Sequence, residues 1–125
     1  MNPVSPYFSH IAIVDDDESV LKAIPRLLTV CGFRTEIFDS GQTFLDALRD
    51  RNPDCVLLDL HMLSLTGWDV LAEMAASGYS IPVIVITGDG DPALLAKAMS
   101  IGAAALLRKP FSELQLLEAI AAAIE

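Results

Sequence analysis

Five residues of this chain could do ionic chemistry together: Asp15, Asp16, Asp59, Thr87 and Lys109. Each stands at or just beyond an apolar run, as in "IAIV" before Asp15, "CVLL" before Asp59, "VIVI" before Thr87 and "AAALL" before Arg108 and Lys109. Three carboxylates brought close together repel one another, and they take up protons unless a cation compensates. Hard oxygen ligands with room for water suit Mg2+, which takes one or two carboxylates plus a phosphoryl group. An aspartate beside such an ion can attack phosphorus and become an aspartyl phosphate. Lys109 and Thr87 would then contact the phosphoryl oxygens. Gly88, next to Thr87, would leave the group space to enter.

That chemistry requires the five residues to share one rim of the fold. Short apolar runs occupy His10–Val14, Arg34–Phe38, Asp54–Leu58, Ile81–Ile86 and Ala103–Leu107, and their starts are 20 to 27 residues apart. Each gap holds one segment of helical period, so the pattern predicts five βα units, a parallel sheet with helices on both faces. Three runs ("IAIV", "CVLLD" and "VIVI") are continuously apolar and belong in the middle of the sheet. With right-handed crossovers this gives a doubly wound sheet of order 2-1-3-4-5, whose ligands bind outside the carboxyl ends of the strands. All five residues fall at those ends.

Helix signals support the frame. Asp17 or Glu18 opens the first helix and Gly32 closes it; Ser40 and Ser112 cap the second and fifth. The third begins near Gly67–Trp68, and Asp91-Pro92 reads as an N-cap followed by a first-turn proline. Pro25, inside the first helical pattern, predicts a kink near Leu21.

The 125 residues fit one domain, residues 9–125, behind a short leader over 1–8. A net charge of −9 disfavours nucleic-acid binding by this domain, since phosphate contacts need clustered Lys and Arg. Cys31 and Cys55 match no zinc or disulfide pattern and read as two buried, reduced thiols. No signal peptide or membrane span is legible, which points to a cytoplasmic protein without a membrane partner.

The chain resembles the receiver domains of two-component response regulators, closest to those of the FixJ/NarL type. The resemblance spans about residues 9 to 124. It is carried by "VDDDE" at 14–18, "LLDLHM" at 57–62 with Gly67, "VITGDGD" at 85–91 and "LLRKPF" at 106–111. It implies a flavodoxin-like (βα)5 three-layer sandwich. It also implies Asp59 as the phosphoacceptor, Asp16 as a direct Mg2+ ligand and Asp15 as one acting through water. The main-chain carbonyl of His61 matches the third protein ligand, and the His61 side chain is expected to face solvent. Thr87 matches the switch hydroxyl and Lys109 the phosphate-binding lysine, with a cis peptide before Pro110. The implied donor is a phosphohistidine on a sensor histidine kinase. The implied output is a changed surface on the fourth helix, fifth strand and fifth helix, serving a homodimer or an effector domain such as a helix-turn-helix DNA-binding domain.

Two positions depart from the family. Leu106 stands where a switch Tyr or Phe is usual, and Leu63 where proline usually follows the methionine. Both motivate an alternative, a degenerate receiver that binds a partner without phosphorylation; the intact acidic pair, acceptor, Thr87 and Lys109 speak against it. An aspartate-nucleophile phosphatase is a further alternative. Such enzymes usually carry a second acid two residues after the nucleophile, where this chain has His61.

Overall fold

Alternation along each strand sorts the apolar residues to two faces, and that sorting builds the fold. The computed structural model describes residues 9–125, and the leader expected over 1–8 lies outside the described residues. The elements run β1 (His10–Val14), α1 (Glu18–Val30), β2 (Arg34–Phe38), α2 (Gly41–Leu48), β3 (Cys55–Asp59), α3 (Gly67–Ala76), β4 (Val83–Thr87), α4 (Ala93–Ile101), β5 (Ala105–Arg108) and α5 (Glu113–Ile124). The strands form one parallel sheet of order β2-β1-β3-β4-β5.

Ala12, Val14, Val56, Leu58, Val83 and Val85 point to one face, where Phe44, Leu48, Val70, Leu71, Met74 and Ala98 of α2, α3 and α4 cover them. Ile11, Ile13, Cys55, Leu57, Ile84 and Ile86 point to the other, under Ile24 and Leu28 of α1 and Leu116 and Ile120 of α5. Successive side chains of a strand leave opposite faces, so a strand covered on both sides must be apolar throughout. β3 and β4 are buried along their whole length, and β1 is buried after His10. The mixed sequences of β2 and β5 occupy the edges.

Small departures from the predicted bounds have local causes. β3 begins one residue later than Asp54, whose carboxylate instead accepts the His10 N–H at 2.7 Å. β4 begins at Val83 rather than Ile81; Pro82 just before it has no N–H to give a ladder. β5 begins at Ala105 rather than Ala103, because Gly102 at φ 123 turns the chain and the Ala103 N–H still bonds back to Ala98 of α4. Helix α4 starts at Ala93, one residue beyond the predicted Pro92, with the Asp91 carboxylate accepting the Ala93 N–H at 2.9 Å.

The other caps follow the predicted residues. The Asp17 carboxylate accepts the Ser19 N–H, and Ser40 and Ser112 accept from Thr43 and Gln115. Pro25 lies inside a helix that continues to Val30. Cys55 is buried, whereas Cys31 is only half-buried because it sits at the C-terminal cap of α1 rather than on its inward stripe. Among the described residues no helix is long and apolar enough to cross a membrane.

Candidate functional site

The ladder hydrogen bonds run one peptide past the strands, and this holds the rim residues in place. Asp15, just after β1, donates its N–H to Phe38 at 3.0 Å; Leu60, just after β3, donates to Ile86 at 2.9 Å; and Lys109, just after β5, donates to Thr87 at 2.8 Å. Extension of the parallel ladders therefore delivers the side chains of Asp15, Asp59, Thr87 and Lys109 to one edge.

Three of the predicted residues converge fully. One carboxylate oxygen each of Asp15, Asp16 and Asp59 lies within 4.8 Å of the other two. Asp15 and Asp59 are buried and Asp16 is exposed, so the cluster is closed at the bottom and open to solvent above. Main-chain donors fix the orientation of each acid. Asp15 Oδ1 accepts the Asp17 N–H at 2.9 Å, Asp59 Oδ1 accepts the His61 N–H at 3.0 Å, and Asp16 Oδ2 accepts the Leu63 N–H at 3.2 Å. The last bond exists because position 63 is not proline, which has no N–H.

Asp15 Oδ2 is left buried with no hydrogen-bond partner. Its nearest cation is the Lys109 ammonium, 3.6 Å away. A buried carboxylate oxygen without a donor is costly, and a bound cation is the usual remedy. The donor set of three carboxylates with one face in water fits a hard, partly hydrated divalent ion.

Burial drives the Asp15 carboxyl up from 3.8 to about 6; the Asp17 N–H opposes this, the Asp59 carboxylate adds to it, and Lys109 partly offsets it. A carboxyl raised in the folded state binds more protons there than in the unfolded chain, so stability falls as pH rises through the window from about 4 to 6, and the penalty is complete above it. Without divalent cations, Asp15→Asn is therefore expected to raise stability at pH 7 by on the order of 2 kcal/mol. It is also expected to flatten the decline between pH 4 and 6, as read by thermal unfolding across that range. A variant no more stable than the parent at pH 7 would contradict this account.

The remaining predicted residues are placed differently. Thr87 is fully buried; its hydroxyl accepts the Asp89 N–H at 3.0 Å and lies 2.8 Å from Nε2 of His61, and it is not hydrogen-bonded to Asp15, Asp16 or Asp59. The His61 side chain was expected only to face solvent. It is exposed, but its ring reaches across from the loop after β3 to the end of β4. A Cβ at Gly88 would meet nothing within 4 Å, so there is open space beside Thr87. The Lys109–Pro110 bond is cis. Leu106 packs, partly buried, against the cluster that contains Val85 and Ala103.

Gly67 has a plainer duty. A Cβ there would fall 2.2 Å from the Asp59 carbonyl oxygen and 2.6 Å from Leu60 Cα, so only glycine lets α3 begin directly against the end of β3. Thr66 caps that helix in a capping box with Asp69, a Thr-x-x-Asp signal readable in the sequence. Met62 lies in the core and Trp68 packs against it, with the Lys97 ammonium 4.2 Å from the ring centroid.

Comparison with known proteins gives the same frame. A profile of the response regulator receiver domain matches residues 11–121. The chain is 38% identical over 115 residues to the transcriptional regulatory protein FixJ of Bradyrhizobium diazoefficiens, covering 92% of this chain and 56% of that protein. It is 39% identical over 117 residues to the response regulator protein TmoT of Ectopseudomonas mendocina, covering 94% and 53%. Against the crystal structure of full-length FixJ from B. japonicum the TM-score is 0.86 at 38% identity, over 94% of this chain and 58% of that chain. The chain thus spans about half the length of the curated relatives it matches. A profile match over most of the sequence, on a sheet of the same topology, means that the chain belongs to the response regulator receiver domain family.

Proposed function

We propose that this domain, residues 9–125, is a phosphorylation-activated signalling switch of a cytoplasmic two-component system, with Asp59 as its phosphoacceptor. The observation that carries the reading is the acidic cluster, with its unpartnered Asp15 Oδ2 and with Lys109 beside it. Asp15, Asp16, Asp59 and the main-chain carbonyl of His61 would hold Mg2+, which when bound neutralises charge on the entering phosphoryl group. Asp59 supplies the attacking carboxylate oxygen. As its bond to phosphorus forms, the P–N bond of a phosphohistidine on a sensor kinase breaks and the imidazole leaves. Lys109 moves its ammonium from Asp15 towards the phosphoryl oxygens, and Thr87 turns its hydroxyl to them, with Gly88 leaving them room.

The output is a shift in the surface of α4, β5 and α5, where Leu95 and Met99 are already about half exposed. That surface serves a homodimer or an effector domain. The relatives' additional length supports an effector, of helix-turn-helix DNA-binding type, since one relative is named a transcriptional regulatory protein. The domain catalyses only its own phosphorylation and dephosphorylation; no second acid two residues after Asp59 equips it for turnover of other substrates.

Incubation with acetyl phosphate, read by intact mass, tests the reading. The protein is expected to gain about 80 Da, one phosphoryl group, in Mg2+ and not in EDTA. No adduct under either condition would overturn it.

A further inference from the structure

The 2.8 Å contact between the His61 ring and the Thr87 hydroxyl joins two groups that the chemistry above does not require to touch. Thr87 is fully buried, so its hydroxyl hydrogen must find an acceptor. Its oxygen already accepts the Asp89 N–H. Among the described residues, the acceptor within reach is Nε2 of His61. The arrangement that satisfies both groups has the hydroxyl donating to Nε2, which assigns the ring's own N–H to Nδ1. The backbone of His61 is held as well, with its N–H on Asp59 Oδ1.

A threonine hydroxyl has one hydrogen to donate. While it goes to His61 it cannot go to a phosphoryl oxygen on Asp59. We propose that the His61 ring is a latch that holds Thr87 in the unphosphorylated arrangement and is released whenever Thr87 engages the phosphoryl group. The proposal rests on the reading of Asp59 as phosphoacceptor and deepens it. His61 then acts through two separate atoms, its carbonyl towards the metal and its ring towards Thr87. The ring is a positioning group that sets the balance between two states without touching the phosphoryl group itself. Because it is exposed, it can swing into water on release, which keeps the cost of opening to that of one hydrogen bond. Such a bond corresponds to roughly a fivefold change in an equilibrium constant.

His61→Ala removes the ring and keeps both main-chain groups, so it isolates the latch. Beryllofluoride, a phosphoryl stand-in that binds aspartate carboxylates, is titrated calorimetrically in Mg2+ into the parent, His61→Ala, Thr87→Val and the double variant. His61→Ala is expected to bind roughly fivefold more tightly than the parent. In the Thr87→Val background the same replacement is expected to change affinity less than about twofold, because the donor is already gone. His61→Gln, which restores an acceptor, is expected to return affinity towards that of the parent. Equal or weaker binding by His61→Ala, or an undiminished gain with Val at position 87, overturns the latch and leaves the phosphoacceptor reading standing. No binding by the parent overturns that reading and the latch with it.

Discussion

The Asp59→Asn chain is expected to remain at its unmodified mass under conditions that add about 80 Da to the parent, a change from full labelling to none. Asparagine has nearly the size of aspartate and can still accept the His61 N–H, so the fold and the loop after β3 persist. What disappears is the proposed nucleophile, and neither neighbouring acid is expected to replace it. Asp15 points its Oδ1 at the Asp17 N–H and lies buried beneath the opening, while Asp16 is turned towards the Leu63 N–H. The variant should also unfold at or above the parent's temperature in EDTA, since one of three crowded acids is gone. An adduct of the same mass on the Asp59→Asn chain would place the acceptor elsewhere and defeat the assignment.

Gly67→Ala is expected to cost about 3 kcal/mol of folding stability, measured by denaturant unfolding, and to slow phosphorylation as well. The added methyl would lie 2.2 Å from a carbonyl oxygen and 2.6 Å from a Cα, both in backbone, so no side chain can yield to make room. Either α3 slides outward, opening the seat of Val70 and Leu71, or the peptide after Asp59 shifts and carries the carboxylate with it. Alanine's better helix propensity returns only about 1 kcal/mol. Gly88→Ala is the matching control, since a Cβ there meets open space, and its stability should stay within about 0.5 kcal/mol of the parent. Equal stabilities for the two variants would mean that the start of α3 does not press on the end of β3 and would defeat this account.

Much of this molecule could be read from its sequence because the signals were local. The unbroken apolarity of three runs named β1, β3 and β4 as central, and they are the buried strands. Ser40 and Ser112 announced their helices because capping is a matter of three or four residues. Strand ends on a parallel sheet share a rim, so the meeting of Asp15, Asp16 and Asp59 follows from topology once the strand order is known. The His61 ring was not legible in this way. Its reach to Thr87 depends on side-chain torsions across 26 residues of chain, and no periodicity encodes that. The Leu63 N–H on Asp16 was missed for a related reason: the sequence showed the loss of a proline's restraint, but not that the replacement gains a donor. Cys31 was placed too deep because an apolar stripe does not say where a helix stops.

The extension of the ladder past the strands has a consequence for how this domain can move. Thr87 is paired with Arg108 across the sheet, and its carbonyl is tied to the Lys109 N–H, so its main chain has little liberty. Its remaining freedom is rotation about the Cα–Cβ bond, and a β-branched side chain samples only a few staggered wells there. A hydroxyl so mounted moves between staggered wells and not by degrees, so the proposed passage from His61 to a phosphorylated Asp59 is a two-position step. If Thr87 reads the phosphoryl group as proposed, the reading is digital by construction, and Leu106, partly buried against the core, leaves that single torsion to do the counting.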